Sequence, residues 1–288
     1  MKKTIARCLL CLFIILANAA SAQENSLLWK ISGKGLPESS YLFGTIHVMP
    51  KSEFSISPRI QKAFENSSAL ALEVGLKMGI AKQVKIAKMA LLPQGKTLED
   101  YLSQEDYNLV KSHCLDSLKI PESKFNTYVR MKPFFFSAAI EQEKMGETAS
   151  YEIELDKLAR QQRKKRLGLE SIEFQMETID KISIQDQAKM LVKEFGGNAA
   201  FQFKDMLDMY QREDLNGLHK ALSEVSMEIP EFNHYFLSVR NSNWIPVIEK
   251  QIAQKPTFIA VGAAHLPGEN GVIELLRKKG YTVEPVLF

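Results

Sequence analysis

Two copies of a short motif place a histidine directly after a strand-like run of apolar residues. Gly44-Thr45-Ile46-His47 closes the run YLFGTI, and Gly262-Ala263-Ala264-His265 closes the run TFIAV. A glycine at a strand end lets another backbone or a ligand approach closely, and open α/β sheets bind ligands at the carboxyl ends of their strands. A lone histidine is more often structural, but the matched pair predicts a functional site.

Two further strand-like runs carry a carboxylate at their end. Glu73 is the one charged residue of ALALEV, at residues 69–74, and Glu170 follows Leu167 to Leu169. A buried carboxylate is costly unless it is paired or binds a metal, so an ion pair with Lys or Arg is the alternative interpretation. If the four strands are parallel neighbours, the two glutamates meet His47 and His265 at one edge of the sheet. These donors suit a divalent ion, Mn, Co, Fe or Zn, without selecting among them.

A candidate substrate-binding pair follows later in the chain, at Arg240 and Asn241. These side chains can hold a carboxylate or stabilise an oxyanion. A helix start on a solvated surface explains them equally well. The H-E-x-x-H motif of zinc proteases and the G-x-S-x-G motif of serine hydrolases are both absent from the sequence.

The first 22 residues have the pattern of a secretory signal peptide. Lys2, Lys3 and Arg7 precede the apolar run Cys8 to Ala17, and Ala20-Ser21-Ala22 is a small-residue cleavage site. The apolar run is well short of the roughly 20 residues that span a bilayer. We therefore predict an exported protein, periplasmic or secreted, with no stable membrane anchor after cleavage.

Removing this segment changes the charge and the cysteine content. Residues 1–22 carry three basic and no acidic residues, so 37 − 3 = 34 basic residues face 34 acidic ones in residues 23–288. No basic surplus remains to favour nucleic acid as a partner. Cys114 is then the one remaining thiol. We expect it to be a buried apolar residue, because its neighbour His113 cannot face it along a helix.

The remaining elements predict an α/β fold. No repeat and no linker rich in Gly, Ser or Pro divides residues 23–288, which we interpret as one domain. Strand-like segments lie at both ends of this region and helical patterns fill most of the middle. The pattern indicates a central, largely parallel sheet flanked by helices, with a large helical insertion. The strand-like segments are Leu28–Ile31, Tyr41–Ile46, Ala69–Val74, Leu167–Leu169, Thr257–Val261 and Tyr281–Val286.

Several segments together resemble the TraB/PrgY/GumN family, most closely its bacterial GumN-like branch. They are GTIHVMP at Gly44 to Pro50, LALEVGL at Leu70 to Leu76, GLESIEFQ at Gly168 to Gln175, RNSNW at Arg240 to Trp244, and VGAAHLPGENGVIELLRKKGYTVEPV at Val261 to Val286. The resemblance covers nearly all of residues 23–288. It implies a fold like that of erythromycin esterase (EreA) and ChaN.

The resemblance also implies a function and a set of site residues. The family is related to the TIKI metalloproteases, which act on extracellular Wnt ligands. By that similarity the motif histidines and the two glutamates would bind metal. Glu170, Arg240 and Asn241 would then serve catalysis in a metal-dependent hydrolase, most simply a peptidase acting on a peptide or protein substrate. The pheromone-shutdown branch supplies the alternative, a non-catalytic protein that sequesters a peptide or small ligand. Iron or haem handling, by analogy with ChaN, is a weaker alternative.

Overall fold

A six-stranded mixed sheet forms the centre of the protein. The computed structural model describes residues 25–197, 203–228 and 230–287, so the predicted signal peptide lies outside the described residues. The strands of the main sheet are β1 Leu28–Ser32, β2 Ser40–Thr45, β4 Ala69–Val74, β6 Lys165–Glu170, β7 Thr257–Gly262 and β8 Thr282–Pro285. Two short strands, β3 Met49–Pro50 and β5 Thr148–Ala149, pair separately.

The sheet order is β6-β4-β7-β2-β1-β8. β6, β4, β7 and β2 are parallel neighbours, and β1 runs antiparallel between β2 and β8. The central parallel strands are covered on both faces, since β7 is buried at every position and β4 at all but its last. Strands covered on both faces are continuous apolar runs of this kind. The predicted α/β class with a largely parallel central sheet is confirmed.

Helices connect the strands and cover the sheet. Their bounds are α1 Pro58–Glu65, α2 Ile80–Met89, α3 Gln104–Ser112, α4 Glu122–Tyr128, α5 Pro133–Met145, α6 Tyr151–Gln161, α7 Ile172–Ile179, α8 Ile184–Phe195, α9 Phe203–Gln211, α10 Leu215–Glu228, α11 Pro230–Asn233, α12 Arg240–Ile252 and α13 Val272–Lys278. π-helical turns span His113–Ser117 and His234–Val239. No helix in residues 25–197, 203–228 and 230–287 combines the length and apolar character that crossing a bilayer requires.

Two apolar clusters stabilise the fold. The larger one packs the sheet against its helices and contains the fully buried rings of Trp29, Phe43 and Trp244. The second lies among the helices between β4 and β6 and includes Phe125 and Phe136. α8, which follows β6, also contributes to this second cluster. The inserted helices therefore have a core of their own beside the sheet.

Cys114 lies in this second cluster and is fully buried. Burial raises the pKa of its thiol to about 12, because a thiolate cannot be solvated there. We expect the native protein to resist a thiol-specific chromogenic reagent at neutral pH. In denaturant, one thiol per chain should react if residues 1–22, with Cys8 and Cys11, have been cleaved, and three if they remain. Rapid reaction of the native protein would contradict this assignment.

Candidate active site

The strand order brings the predicted site residues to one edge of the sheet. Glu170 ends β6, Glu73 is the next-to-last residue of β4, His265 lies in the 3-10 turn after β7, and His47 follows β2. These strands are consecutive neighbours in the sheet. Four side chains separated by up to 218 residues in sequence thus lie at the carboxyl ends of four adjacent parallel strands.

Glu73 is the buried carboxylate at the centre of this group. Its Oε1 accepts the backbone N–H of Gly262 at 2.7 Å, and its Oε2 accepts from Gln175 Nε2 at 3.0 Å and from the Arg240 guanidinium. Burial opposes ionisation, but the nearby histidine rings, the guanidinium and the Gly262 N–H outweigh it. They hold the pKa of Glu73 below its usual range, so the side chain is a carboxylate.

Arg240 links the two glutamates. Its Nε donates to Glu170 Oε1 at 2.9 Å and its Nη2 lies 2.7 Å from the same oxygen, while Nη2 also donates to Glu73. The π-helical turn before α12 presents the Phe236 carbonyl to Nη1 at 3.1 Å. Trp244 completes the group, because its Nε1 donates to Glu170 Oε2 at 2.9 Å. Both Glu170 oxygens therefore already accept hydrogen bonds.

Asn241 fixes the ring of the buried His265. Asn241 Nδ2 donates to the Asn270 carbonyl at 2.8 Å, which turns its Oδ1 towards His265 Nδ1 at 2.6 Å. This arrangement assigns the proton to Nδ1 and leaves the lone pair on Nε2, which lies 3.2 Å from Arg240 Nη1. Burial lowers the pKa of His265 to about 3, so the imidazole is neutral at neutral pH.

His47 is oriented by a carboxylate that the sequence did not reveal. Its Nδ1 lies 2.9 Å from Glu152 Oε1, and Glu152 also accepts from Thr45 and Ser150. The side chain of His47 is 59% exposed. Partial desolvation lowers its pKa, but the carboxylates of Glu73 and Glu152 outweigh that effect and raise it to about 9. The Nε2 atom of His47 is directed towards Glu73 Oε1, at 3.8 Å.

Three donor atoms surround a small space next to Gly262. His47 Nε2 and His265 Nε2 lie 3.8 and 3.7 Å from Glu73 Oε1. A methyl group on Gly262 would lie 3.3 Å from Glu73 Oε1 and from His47 Nε2, so this space borders the Gly262 α-carbon. Ligands about 2.1 Å from a tetrahedral ion lie about 3.4 Å apart, close to these separations. The two imidazoles and the carboxylate fit a divalent ion in their chemistry.

The geometry is not preformed for a metal. Within the described part of the chain, no group of three or more His, Cys, Asp or Glu side chains is arranged to hold a metal ion. The guanidinium explains this, since Arg240 Nη1 faces the His265 lone pair and Arg240 occupies one oxygen of each glutamate. The assignment of the four predicted ligands therefore stays a prediction, and the contacts of Glu170 favour a role in positioning Arg240.

Three residues of this group were missed by sequence reasoning. Gln175 and Trp244 belong to the segments GLESIEFQ and RNSNW, which carried the family resemblance, so a signal for them was present. Glu152 had no such signal. It lies in the first turn of α6, where acidic residues are common for helix-dipole reasons.

The sequence of this chain is similar to those of a known family. A sequence model of the TraB/PrgY/gumN family matches residues 27–285. Metalloprotease TIKI1 of Danio rerio is 23% identical over 321 residues, covering 93% of this chain and 64% of that protein. Metalloprotease TIKI2 of Xenopus tropicalis is 24% identical over 317 residues, covering 90% of this chain and 60% of that protein.

A bacterial relative matches over nearly its whole length. YbaP of Escherichia coli (strain K12), which is described as uncharacterized, is 25% identical over 276 residues, covering 90% of this chain and 96% of that protein. By contrast, the chain spans less than two thirds of each of the two metalloproteases. No solved structure matches the chain, so the likeness to the EreA and ChaN folds remains a prediction.

Proposed function

The chain belongs to the TraB/PrgY/gumN family, and we propose from this membership and the site geometry that it is an exported, metal-dependent peptidase. The observation that carries the proposal is the meeting of His47 Nε2, His265 Nε2 and Glu73 Oε1 beside Gly262. The names of two relatives, metalloproteases TIKI1 and TIKI2, support metal-dependent hydrolysis. The leader pattern of residues 1–22 supports export.

Three side chains of this chain would hold the ion, namely His47, Glu73 and His265. A divalent ion, Mn, Co, Fe or Zn, would supply a bound water of lowered pKa and a Lewis acid for the scissile carbonyl. Glu152 would hold His47, and Asn241 would hold His265, each through the ring Nδ1. A ligating histidine depends on such partners for its tautomer and orientation.

Arg240 and Glu170 would serve the substrate. The Arg240 guanidinium is fixed by Glu170 and by its position 4.9 Å from the Trp244 ring. Its Nη1, which lies 3.2 Å from His265 Nε2, would turn to a substrate carbonyl oxygen and stabilise the negative charge that develops there. Glu170 Oε2 accepts one hydrogen bond, from Trp244, and has a second lone pair that could take a proton from the attacking water.

The test is the metal content of the purified protein beside the variants His47→Ala and His265→Ala. We expect near-stoichiometric Mn, Co, Fe or Zn in the parent protein by elemental analysis, and loss of that metal in each variant. His113→Ala is the matched control, because His113 packs against Phe195 among the inserted helices. Circular dichroism would show that the variants are folded.

Turnover separates the proposal from the binding-protein alternative. With metal restored, the parent protein should cleave members of a peptide library and the His47→Ala variant should not. A protein that retains peptides stoichiometrically and releases them intact would instead be a sequestering protein. Metal retained in both histidine variants would contradict the proposed ligands.

A further inference from the structure

Helix α2 has no buried residue, although it is rich in aliphatic side chains. It follows β4 directly and packs against α7. The side of α2 that is partly covered carries Lys82, Ile86 and Met89, at the spacing of one helical face. Lys82 Nζ pairs there with Glu173 of α7 at 3.0 Å.

The opposite side of α2 is aliphatic and faces away from the protein. Ile80, Val84 and Ala87 follow one another at the i, i+4, i+7 spacing that marks a single helical face. The side chain of Ile80 is 81% exposed and that of Val84 is 49% exposed. Four of the seven exposed large hydrophobic side chains in the described part of the chain lie within residues 76–91. We call Ile80, Val84 and Ala87, with the exposed Lys88 beside them and the exposed Lys85 further round the helix, the α2 outer face.

The charge of this region has one sign. Residues 75–98 contain five lysines and no acidic residue. Residues 23–288 as a whole carry equal numbers of basic and acidic residues, 37 − 3 = 34 against 34. Lys82 and Lys96 are paired with Glu173 and Asp100. The positive charge that would complement an aliphatic and acidic partner therefore comes from the other lysines, among them the exposed Lys85 and Lys88.

The position of α2 connects this surface with the candidate active site. Its neighbour α7 carries Gln175, whose Nε2 donates to Glu73. Glu173, the partner of Lys82, lies two residues before Gln175 on α7. The α2 outer face thus belongs to an element one helix away from the central carboxylate of the site.

We propose that the α2 outer face binds an acidic, aliphatic segment of the polypeptide substrate. The proposal rests on the peptidase function proposed above and names the class of its substrates. Such a segment would cover the aliphatic stripe with its apolar side chains and pair its carboxylates with Lys85 and Lys88. A lipid surface is disfavoured because the α2 outer face contains no Trp, Phe or Leu, the side chains with which helices at membrane surfaces enter the lipid.

Binding can be measured without turnover. The probe is a fluorescein-labelled peptide of Glu and Leu, and its anisotropy is followed with the full-length processed protein in the presence of a chelator. We expect Lys85→Glu/Lys88→Glu and Ile80→Ser/Val84→Ser each to weaken binding by about tenfold or more. A peptide of Gln and Leu should bind more weakly than the Glu and Leu peptide, and added salt should reduce that difference.

The control is Leu109→Ser/Lys111→Glu, which makes one change of each kind at exposed residues of α3. It should bind the probe as the parent protein does. The proposal would be overturned if the α2 variants bound the peptide with the affinity of the parent protein. It would also be overturned if these variants lost binding to phosphatidylglycerol vesicles but still bound the peptide. If the parent protein binds the peptide but shows no metal-dependent cleavage, the proposed peptidase function alone is contradicted. If the α2 variants cleave peptides as the parent protein does, the proposed binding surface alone is contradicted.

Discussion

Replacing Arg240 by methionine is expected to lower the free energy of unfolding by about 3–5 kcal/mol. The guanidinium is buried and is the cation shared by Glu73 and Glu170, which are also buried. Methionine fills a similar volume but leaves two carboxylates close together with no positive charge between them. Removing one partner of a buried ion pair is far more destabilising than the pair itself is stabilising, because the remaining charge is left desolvated.

Urea denaturation followed by circular dichroism measures this effect. Arg160→Met is the matched control, since the Arg160 side chain is 60% exposed and its buried partner Asp156 keeps a second cation in Arg166. The control should change stability by less than about 1 kcal/mol. Adding Glu170→Gln to Arg240→Met should recover part of the loss, because one buried charge is then removed. Equal effects of the two arginine variants would contradict the central role of Arg240.

Replacing Gly262 by alanine is expected to weaken metal binding strongly while the fold is kept. The added methyl group would lie 3.3 Å from Glu73 Oε1 and His47 Nε2 and 3.6 Å from the His265 ring, in the space that the proposed ion needs. The backbone at Gly262, with φ −52 and ψ 136, is one that alanine adopts without strain. We expect the affinity for Mn²⁺ or Co²⁺ to fall by about 10- to 100-fold or more, as when the surroundings of a metal site are disturbed.

Isothermal titration calorimetry of the two ions measures the loss. Gly75→Ala is the matched control, because a methyl group there, just after β4, makes only an ordinary contact, 3.7 Å from Gly168 N. Its affinity should equal that of the parent protein. Unchanged metal affinity in a folded Gly262→Ala variant would place the ion elsewhere.

Much of the candidate site could be predicted from local patterns. Each of the two histidines and two glutamates follows or ends an apolar run, and a run of that length and composition forms a strand in most buried contexts. The histidines and glutamates were therefore assigned to strand ends correctly, and the expected convergence followed once the strands proved to be parallel neighbours. Cys114 was also correctly predicted to be buried.

Other features could not be predicted because they depend on contacts between distant segments. The sequence places β1 first, yet it lies between β2 and β8 and runs antiparallel to both. The short strands β3 and β5 pair across about a hundred residues, and two-residue strands have no recognisable pattern. The segment Leu98 to Leu118, which looks like two short helices, forms a 3-10 turn, one α-helix and a π-helical turn.

The amino-acid sequence alone determined the α/β class, the family and the four residues at the strand ends, since apolar runs and motif spacing are local properties. The tertiary structure alone decided how those residues are used. It placed Arg240 between Glu73 and Glu170, gave His47 its partner Glu152, and turned the aliphatic side of α2 outwards. These contacts join residues that are far apart in sequence. Their free energies depend on burial and on the distance between the charges, which only the folded structure sets.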